Sequence, residues 1–184
     1  MHPWHIGGMF AITTAGLAVG LPAQAQPAPP ADPLPDAYAV SGEHLAFFNT
    51  PHRRHTVIEA GAVTRLAQVS LDLRQPADVL VQFTSGIATV VAEGCPCSVR
   101  VSIQVGQQEP VVVKRVNLGA VSTTVGGAYQ PDRQSADGSH VFPLPAGRHD
   151  ITLIAQRVEG SSRLLHVFYQ NLQALPFARY GSGR

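Results

Sequence analysis

The chain has little charge and almost no lysine. Only 14% of its 184 residues are charged, Lys114 is the single lysine, and 13 basic residues against 12 acidic residues leave a formal net charge of +1. So weak a field gives no electrostatic basis for binding nucleic acid. Hydrophobic residues make up 45% of the chain, which is enough apolar material for a folded core. We therefore expect one folded domain and no nucleic-acid partner.

Motifs that would indicate a particular enzyme chemistry are also missing. The sequence contains no G-x-S-x-G nucleophile turn, no H-E-x-x-H metal motif and no glycine-rich phosphate loop. We therefore predict a non-catalytic binding or assembly module without a cofactor or a metal, whose partner is an unidentified protein or a glycan. A carbohydrate-binding or carbohydrate-processing domain is the alternative.

The first 25 residues predict a cleaved signal peptide. Ile6 to Gly20 is a run of apolar and small residues that is shorter than a membrane span. Pro22 ends this run, and Ala23-Gln24-Ala25 supplies the small residues that signal peptidase recognises. No Lys or Arg precedes the run, so an uncleaved hydrophobic anchor stays open as the alternative. We expect a mature protein that begins at Gln26, is exported to the periplasm or the extracellular space, and has no membrane attachment after cleavage.

A proline-rich linker is predicted over residues 26–37. Residues 26–36 read QPAPPADPLPD, and five prolines in eleven residues favour an extended tether without a core of its own. The folded domain is expected over residues 38–178. Residues 179–184, rich in Gly, Ser and Arg, are expected to form a flexible tail.

Alternating apolar residues predict β-strands throughout the folded domain. In the segment from Val99 to Val105, every second residue is Val or Ile and the residues between them are polar. Seven or more short segments alternate in this way, and none keeps a helical period over three turns. Turn residues separate them at Gln75-Pro76, Ser85-Gly86, Gly94-Cys95-Pro96, Gly106, Asp137-Gly138, Pro145-Ala146-Gly147 and Glu159-Gly160-Ser161. The sequence therefore predicts an all-β fold, an antiparallel β-sandwich of the jelly-roll-like kind.

The alternation also predicts which side chains face the core. Ser85-Gly86 is expected to end one strand and start another, and Lys114-Arg115 breaks the alternation as a β-bulge would. In the last strand, Leu165, Val167 and Tyr169 alternate with His166, Phe168 and Gln170. The interior positions on central strands are expected to be Val101, Ile103, Leu153 and Val167.

Gly119 to Ser139 is a long segment with little alternation, which predicts an exposed functional loop. The residues nominated for ligand binding in it are Tyr129, Asp132, Arg133 and Asp137. The two aspartates are also candidates for an acid pair or a calcium site, although residues that favour turns explain them more simply. Because loop closure depends only weakly on loop length, deletion of residues 126–136 is expected to leave the sandwich folded.

Cys95-Pro96-Cys97 contains both cysteines of the chain. In an oxidising compartment we favour a disulfide between Cys95 and Cys97, acting as a local staple where one strand turns into the next. Disulfides between chains, thiol exchange and binding of a soft metal are the alternatives. The closed ring is so short that we expect it to add little stability.

Histidines occur in two settings. His52-Arg53-Arg54-His55 is a compact basic cluster that is expected to be a solvated turn, with metal binding or binding of an anionic sugar or phosphate as alternatives. His140, His149 and His166 lie in or beside strands, with His166 expected to face outward. A zinc site would require three of them to converge. The histidine spacing of cupin-like metal sites is absent, so we predict no metal site.

Several segments together resemble a known kind of domain. They are Cys97-Ser98-Val99-Arg100-Val101, the run from Val141 through Leu144-Pro145-Ala146-Gly147 to His149, Ile151-Thr152-Leu153, and Asn171-Leu172-Gln173-Ala174-Leu175. They resemble jelly-roll domains of the tumour-necrosis-factor/C1q-like kind found in bacterial and phage surface proteins. The resemblance covers roughly residues 60–178 and implies a homotrimer. It supplies no catalytic residues.

Overall fold

Strands account for all the regular structure in the described part of the chain. The computed structural model describes residues 38–50, 54–59, 61–91, 93–119, 124–125, 128–129 and 132–179, which all lie in one compact unit. The expected signal peptide and linker, together with His52 and Arg53, lie outside these residues. No helix within these ranges is long and apolar enough to cross a membrane.

The described strands form two antiparallel sheets and a short hairpin. In chain order they are β1 Tyr38–Val40, β2 Ala46–Asn49, β3 His55–Ile58, β4 Val63–Leu73, β5 Ala77–Thr89, β6 Cys97–Val105, β7 Val111–Leu118, β8 Thr124–Val125, β9 Ala128–Tyr129, β10 Arg133–Leu144, β11 Gly147–Glu159 and β12 Leu165–Ala178. Sheet A has the order β1-β2-β12-β5-β10, and β3 also pairs with β12. Sheet B has the order β4-β11-β6-β7, and β8 pairs with β9.

The core lies between the inner faces of sheets A and B. Every second residue of the long strands points into it, and these buried residues form one hydrophobic cluster. The four residues predicted to be interior, Val101, Ile103, Leu153 and Val167, are all fully buried. Burial of each such side chain contributes about 1.5–3 kcal/mol. The prediction of an all-β antiparallel sandwich and of these interior positions is therefore confirmed.

Two glycine-containing dipeptides lie inside strands and not in turns. β5 continues through Ser85-Gly86 and β10 continues through Asp137-Gly138, so both predicted turns are wrong. At Gly138 a Cβ would lie only 2.9 Å from the ring of Phe83, which shows that this glycine permits a close approach and does not end a strand.

The expected functional loop is consequently shorter than predicted. Its last seven residues, 133–139, belong to β10 and pair with β5. Ala136 is fully buried and pairs with Ser85. Deletion of residues 126–136 would therefore remove part of a core strand, and we no longer expect it to leave the fold intact.

A β-bulge interrupts the pairing of β7 with β6. Val101 pairs with Lys114 and Ser102 pairs with Val112, so Val113 is the extra residue. The break in alternation that predicted a bulge is confirmed, one position before Lys114-Arg115.

Candidate functional site

A second β-bulge, in β12, turns Tyr169 to the surface. The pairing of β12 with β5 omits Tyr169 and Gln170 between Phe168 and Asn171, and Tyr169 has a backbone φ of 53°. Tyr169 is 52% exposed, whereas Gln170 is 1% exposed. The prediction that Tyr169 shares the inward face of Leu165 and Val167 is therefore wrong, because the bulge shifts the alternation by one residue.

Gln170 holds this bulge from the inner side. Its backbone N–H donates to Thr50 Oγ1 at 2.9 Å, and its backbone carbonyl accepts from the N–H of Thr50 at 2.9 Å. Its side-chain amide donates to Thr56 Oγ1 at 2.6 Å. These bonds replace the interstrand hydrogen bonds that the bulge removes, so the buried polar groups of Gln170 stay paired. They also hold Tyr169 in a left-handed conformation that costs a non-glycine residue about 1–2 kcal/mol.

Strand pairing places three more rings beside Tyr169 on the outer face of sheet A. His55 on β3 pairs with Phe168 on β12, and His166 lies two residues before Phe168. The imidazoles of His55 and His166 stack with their centroids 4.0 Å apart and their planes at 13°. The Phe168 centroid lies 5.8 Å from that of His55, 5.9 Å from that of His166 and 6.4 Å from that of Tyr169.

Arg133 on β10 joins these rings from the far side of β5. Its guanidinium carbon lies 5.8 Å from the centroid of Phe168, within the range of a cation–π contact. The residues of β5 that lie between β10 and β12 here are small: Ala88 pairs with Arg133 and Gly86 pairs with Phe168. We call His55, Arg133, His166, Phe168 and Tyr169 the aromatic patch.

A shallow depression of about 400 Å³ lies beside the aromatic patch. Arg133 and Tyr169 line it together with Thr84, Ser85, Gly86, Gln134 and Ser135. A Cβ placed on Gly86 would meet no atom within 4 Å, so the missing side chain leaves open space in the depression. The patch therefore offers exposed ring faces next to a recess with hydroxyl and amide groups.

Burial lowers the pKa of His166 from its ordinary value of 6.5, and the imidazole of His55 lowers it further. The side chain is consequently neutral at pH 7. A neutral imidazole offers one hydrogen-bond donor and one acceptor, so the patch can pair with hydroxyl groups of a ligand.

Arg133 is the one nominated binding residue whose described side chain lies in the aromatic patch. Asp132 instead joins Gly119, which follows β7, to Gln134 on β10: its carboxylate accepts from the N–H of Gly119 at 2.7 Å and from the amide of Gln134 at 2.9 Å. Tyr129 lies in β9, and its side chain lies outside the described part.

Asp137 lies along β10, away from Asp132. Its carboxylate accepts from Ser135 Oγ at 2.9 Å and lies 3.9 Å from Nζ of Lys114. Five residue steps at roughly 3.3 Å each separate the two aspartates along extended chain. That span is wider than the carboxyl separation of either class of glycosidase, so the candidate acid pair and calcium site are not formed.

The other histidines do not converge on one point. His140 contacts Phe142 edge to face with centroids 4.7 Å apart, and His149 Nε2 lies 2.9 Å from the carbonyl oxygen of Pro145. His55 lies in a strand and belongs to the aromatic patch, contrary to its expected place in a solvated turn. The described residues contain no group of three or more His, Cys, Asp or Glu side chains that could hold a metal ion.

The cysteines form a separate, tightly packed site where the chain passes from sheet A to sheet B. The sulfur atoms of Cys95 and Cys97 lie 2.02 Å apart, and Cys97 is buried. A Cβ on Gly119 would lie 2.5 Å from Cys95 Cβ, and a Cβ on Gly160 would lie 2.7 Å from Cys97 Sγ. Two neighbouring loops thus close over the pair, an environment that favours a structural staple over a reactive thiol pair.

Comparison with known proteins finds distant fold likeness. No family model and no curated protein matches the chain. A cyclase from Fischerella sp. TAU is similar over 73% of this chain and 65% of its own, with 14% identity and a TM-score of 0.39. A structure of infectious bursal disease virus, Gx strain, is similar over 71% of this chain and 31% of its own, with 9% identity and a TM-score of 0.37. The chain spans less than two thirds of either neighbour, and likenesses this weak assign neither a family nor a function.

Proposed function

We propose that this chain is an exported, non-catalytic binding module that holds carbohydrate on the aromatic patch. The observation that supports this most is the outward turn of Tyr169 at the bulge, beside three rings that already share one surface. A left-handed, non-glycine residue at such a position points to a functional constraint, because glycine would adopt this conformation without steric strain.

The chemistry of the patch suits a sugar. Aromatic rings carry partial negative charge on their faces, and the C–H groups of a sugar ring are weakly positive, so the two pack face to face. The depression beside the rings contains the hydroxyl of Thr84 and the guanidinium of Arg133, which are suited to bonding sugar hydroxyls. The hydroxyls of Ser85 and Ser135, which also line it, donate to the carbonyl of Ala136 and to the carboxylate of Asp137. A ligand that is apolar on its faces and polar at its rim matches this arrangement.

The size of the patch also favours a small ligand over a large protein interface. The patch contains five side chains, whereas a standard protein–protein interface uses about 20–30 residues on each side. The homotrimer implied by the tumour-necrosis-factor/C1q-like resemblance would have to use another surface or extend far beyond this one.

A binding role is favoured over a hydrolytic one by the carboxylates near the patch. Asp132 and Asp137 lie closest to Arg133 in sequence, and both accept hydrogen bonds from other residues, namely Gly119, Gln134 and Ser135. Glycoside hydrolysis needs two carboxyl groups that flank the scissile bond. These two aspartates are not arranged in that way.

The proposal is tested by measuring binding of a panel of soluble oligosaccharides to the purified protein by calorimetry. Phe168→Ala should abolish binding, because it removes the ring that contacts all the others in the patch. The matched control is Phe177→Ala, which removes an exposed phenylalanine near the other end of β12. Absence of binding to every sugar, or equal losses in the two variants, would overturn the proposal.

Two further measurements separate the parts of the proposal. N-terminal sequencing of exported protein should find Gln26 first, and an intact Met1 terminus in the membrane fraction would contradict export with cleavage. Light scattering gives the mass in solution. A trimer that dissociates in the Phe168→Ala variant would make the patch an assembly contact and would exclude a sugar site there.

A further inference from the structure

Arg133 stacks on an aromatic ring and has no carboxylate partner in the described part of the chain. Arg100 and Arg163 also lack such a partner there, but no ring lies against them. Five side chains, Arg74, Lys114, Arg115, Arg148 and Arg179, lie within 4 Å of a carboxylate. Within the described ranges Arg133 makes no ion pair and no hydrogen bond, and its contact is the ring of Phe168. An arginine stacked on a ring is pre-oriented, and its five N–H donors remain available.

The carboxylates nearest to Arg133 in sequence bond to other residues. Asp132, the preceding residue, already accepts two hydrogen bonds through its two oxygens. Asp137 faces Ser135 and Lys114. The described ring residues of the patch are His55, His166, Phe168 and Tyr169, none of which is an acid. The patch therefore combines ring faces with a guanidinium that no carboxylate of the described residues engages.

We propose that the aromatic patch selects sugars that carry a carboxylate, such as uronic acids, with Arg133 as the residue that binds the carboxylate. This inference rests on the proposed function, since it names the ligand class of the same site. The sugar ring packs on the aromatic faces while its carboxylate pairs with the guanidinium. Guanidinium and carboxylate match in geometry and form charge-assisted, frequently bidentate bonds.

The test compares two ligands that differ only in the acid group. The probes are an oligogalacturonate of defined length and the same oligosaccharide after reduction of its carboxyl groups to alcohols. Calorimetry on the full protein at constant pH and moderate salt should show at least about tenfold tighter binding of the acidic form, as expected for a charged hydrogen bond.

Substitution of Arg133 shows whether this residue accounts for the difference. Arg133→Gln should lower affinity for the acidic sugar about tenfold and leave affinity for the reduced sugar nearly unchanged, and Arg133→Lys should retain part of the difference. The matched control is Arg100→Gln, which changes an exposed arginine on β6 of sheet B. Thermal melting of each variant checks that it remains folded.

Each outcome decides between the two proposals. Equal affinity for the acidic and reduced sugars would overturn this inference and leave the proposed function standing. Binding of neither sugar, with no binding of other oligosaccharides, would overturn the proposed function and the inference together. Equal losses of affinity for both sugars in Arg133→Gln would show that Arg133 only positions Phe168. Equal binding of unrelated polyanions such as DNA would show unspecific electrostatic attraction. Either result would overturn the inference.

Discussion

The outer face of sheet A carries aromatic rings and an arginine stacked on one of them, whereas the outer face of sheet B carries amides, hydroxyls and ion pairs. Sheet B contains no Phe, Tyr or Trp in any of its four strands. Its register places Gln68, Thr152 and Gln104 in one row, and Asp150 pairs with Ser70 and Arg148. Polar side chains that satisfy one another suit contact with water.

Cavity volume alone would point to the outer face of sheet B as the binding face. A depression of about 530 Å³ lies over sheet B, beside Gln68, Gln104 and Thr152, and it is larger than the recess of about 400 Å³ on sheet A. What distinguishes sheet A is the presence of exposed rings with an arginine stacked on one of them. The kinds of side chain that line a recess therefore identify a binding face better than the volume of the recess does.

The largest expected effect comes from the core that both faces share. Ile103→Asp places a carboxylate at a fully buried position of β6 between the sheets, so it should cost more than about 4 kcal/mol and leave the protein unfolded or insoluble. The control is Val112→Asp on β7, where the side chain is 51% exposed and the change should stay within about 0.5 kcal/mol. Thermal melting measures both, and a folded Ile103→Asp variant would contradict the assignment of the core.

Burial in the central strands could be predicted from sequence because it follows from local alternation. Ile103 and Leu153 each lie in the middle of a run with period two, and both are fully buried. Turns were harder to predict, because glycine favours turns and also permits close packing within strands. Gly138 lies within β10, where it permits close packing against Phe83. The residue type alone does not distinguish a glycine of this kind from a glycine in a turn.

The aromatic patch could not be predicted because its parts come from separate regions of the sequence. His55, Arg133 and Phe168 meet only through the pairing of β3 with β12 and of β10 and β12 with β5. Tyr169 was placed on the wrong face because a bulge reverses alternation beyond it. The outward position of His166 follows from its immediate neighbours alone, and the structure confirms it: His166 is half-buried between the buried Leu165 and Val167 and stacks on His55.

The next largest effect concerns the junction between the sheets. Replacing Cys95 and Cys97 together by Ser should lower the free energy of unfolding by at most roughly 1.5 kcal/mol, because a ring closed over three residues restricts the unfolded chain very little. Sugar binding on sheet A should not change. Mass spectrometry of unreduced protein should first show the loss of two hydrogens that marks the disulfide. Two free thiols in exported protein would contradict the staple, and a loss of several kcal/mol would contradict its small contribution.

A smaller effect, with the opposite sign, is expected at the bulge of sheet A. Tyr169→Gly relieves about 1–2 kcal/mol of left-handed strain and adds about 0.5–1 kcal/mol of backbone entropy cost, so stability should stay equal or rise by up to about 1.5 kcal/mol. Sugar affinity should nevertheless fall about threefold to tenfold. The matched variant Thr152→Gly on sheet B should lose about 0.5–1 kcal/mol and keep full affinity. A destabilised Tyr169→Gly variant would show that the tyrosine serves the fold.

The smallest expected effect is a pH dependence of stability that arises at His166 on sheet A. Burial, and then the imidazole of His55, lower the pKa of His166 below 6.5 in the folded state, whereas the unfolded chain binds that proton with the ordinary pKa. The unfolded state therefore holds more protons between the two values, and the contribution of His166 to stability is present above pH 6.5 and is lost as the pH falls below it. The titratable and charged groups that face His166 in the aromatic patch are His55 on β3 and Arg133 on β10, and neither is an acid that would favour the protonated form. Denaturant unfolding at pH 7.5, 6.0 and 5.0 should show a smaller loss of stability on acidification in His166→Gln than in the wild type.

The difference between the two proteins isolates this group from the carboxylates, which titrate in both. Identical pH dependence in the two would mean that the His55–His166 stack accepts a proton without cost, and a steeper loss in the variant would reverse the electrostatic account of the aromatic patch.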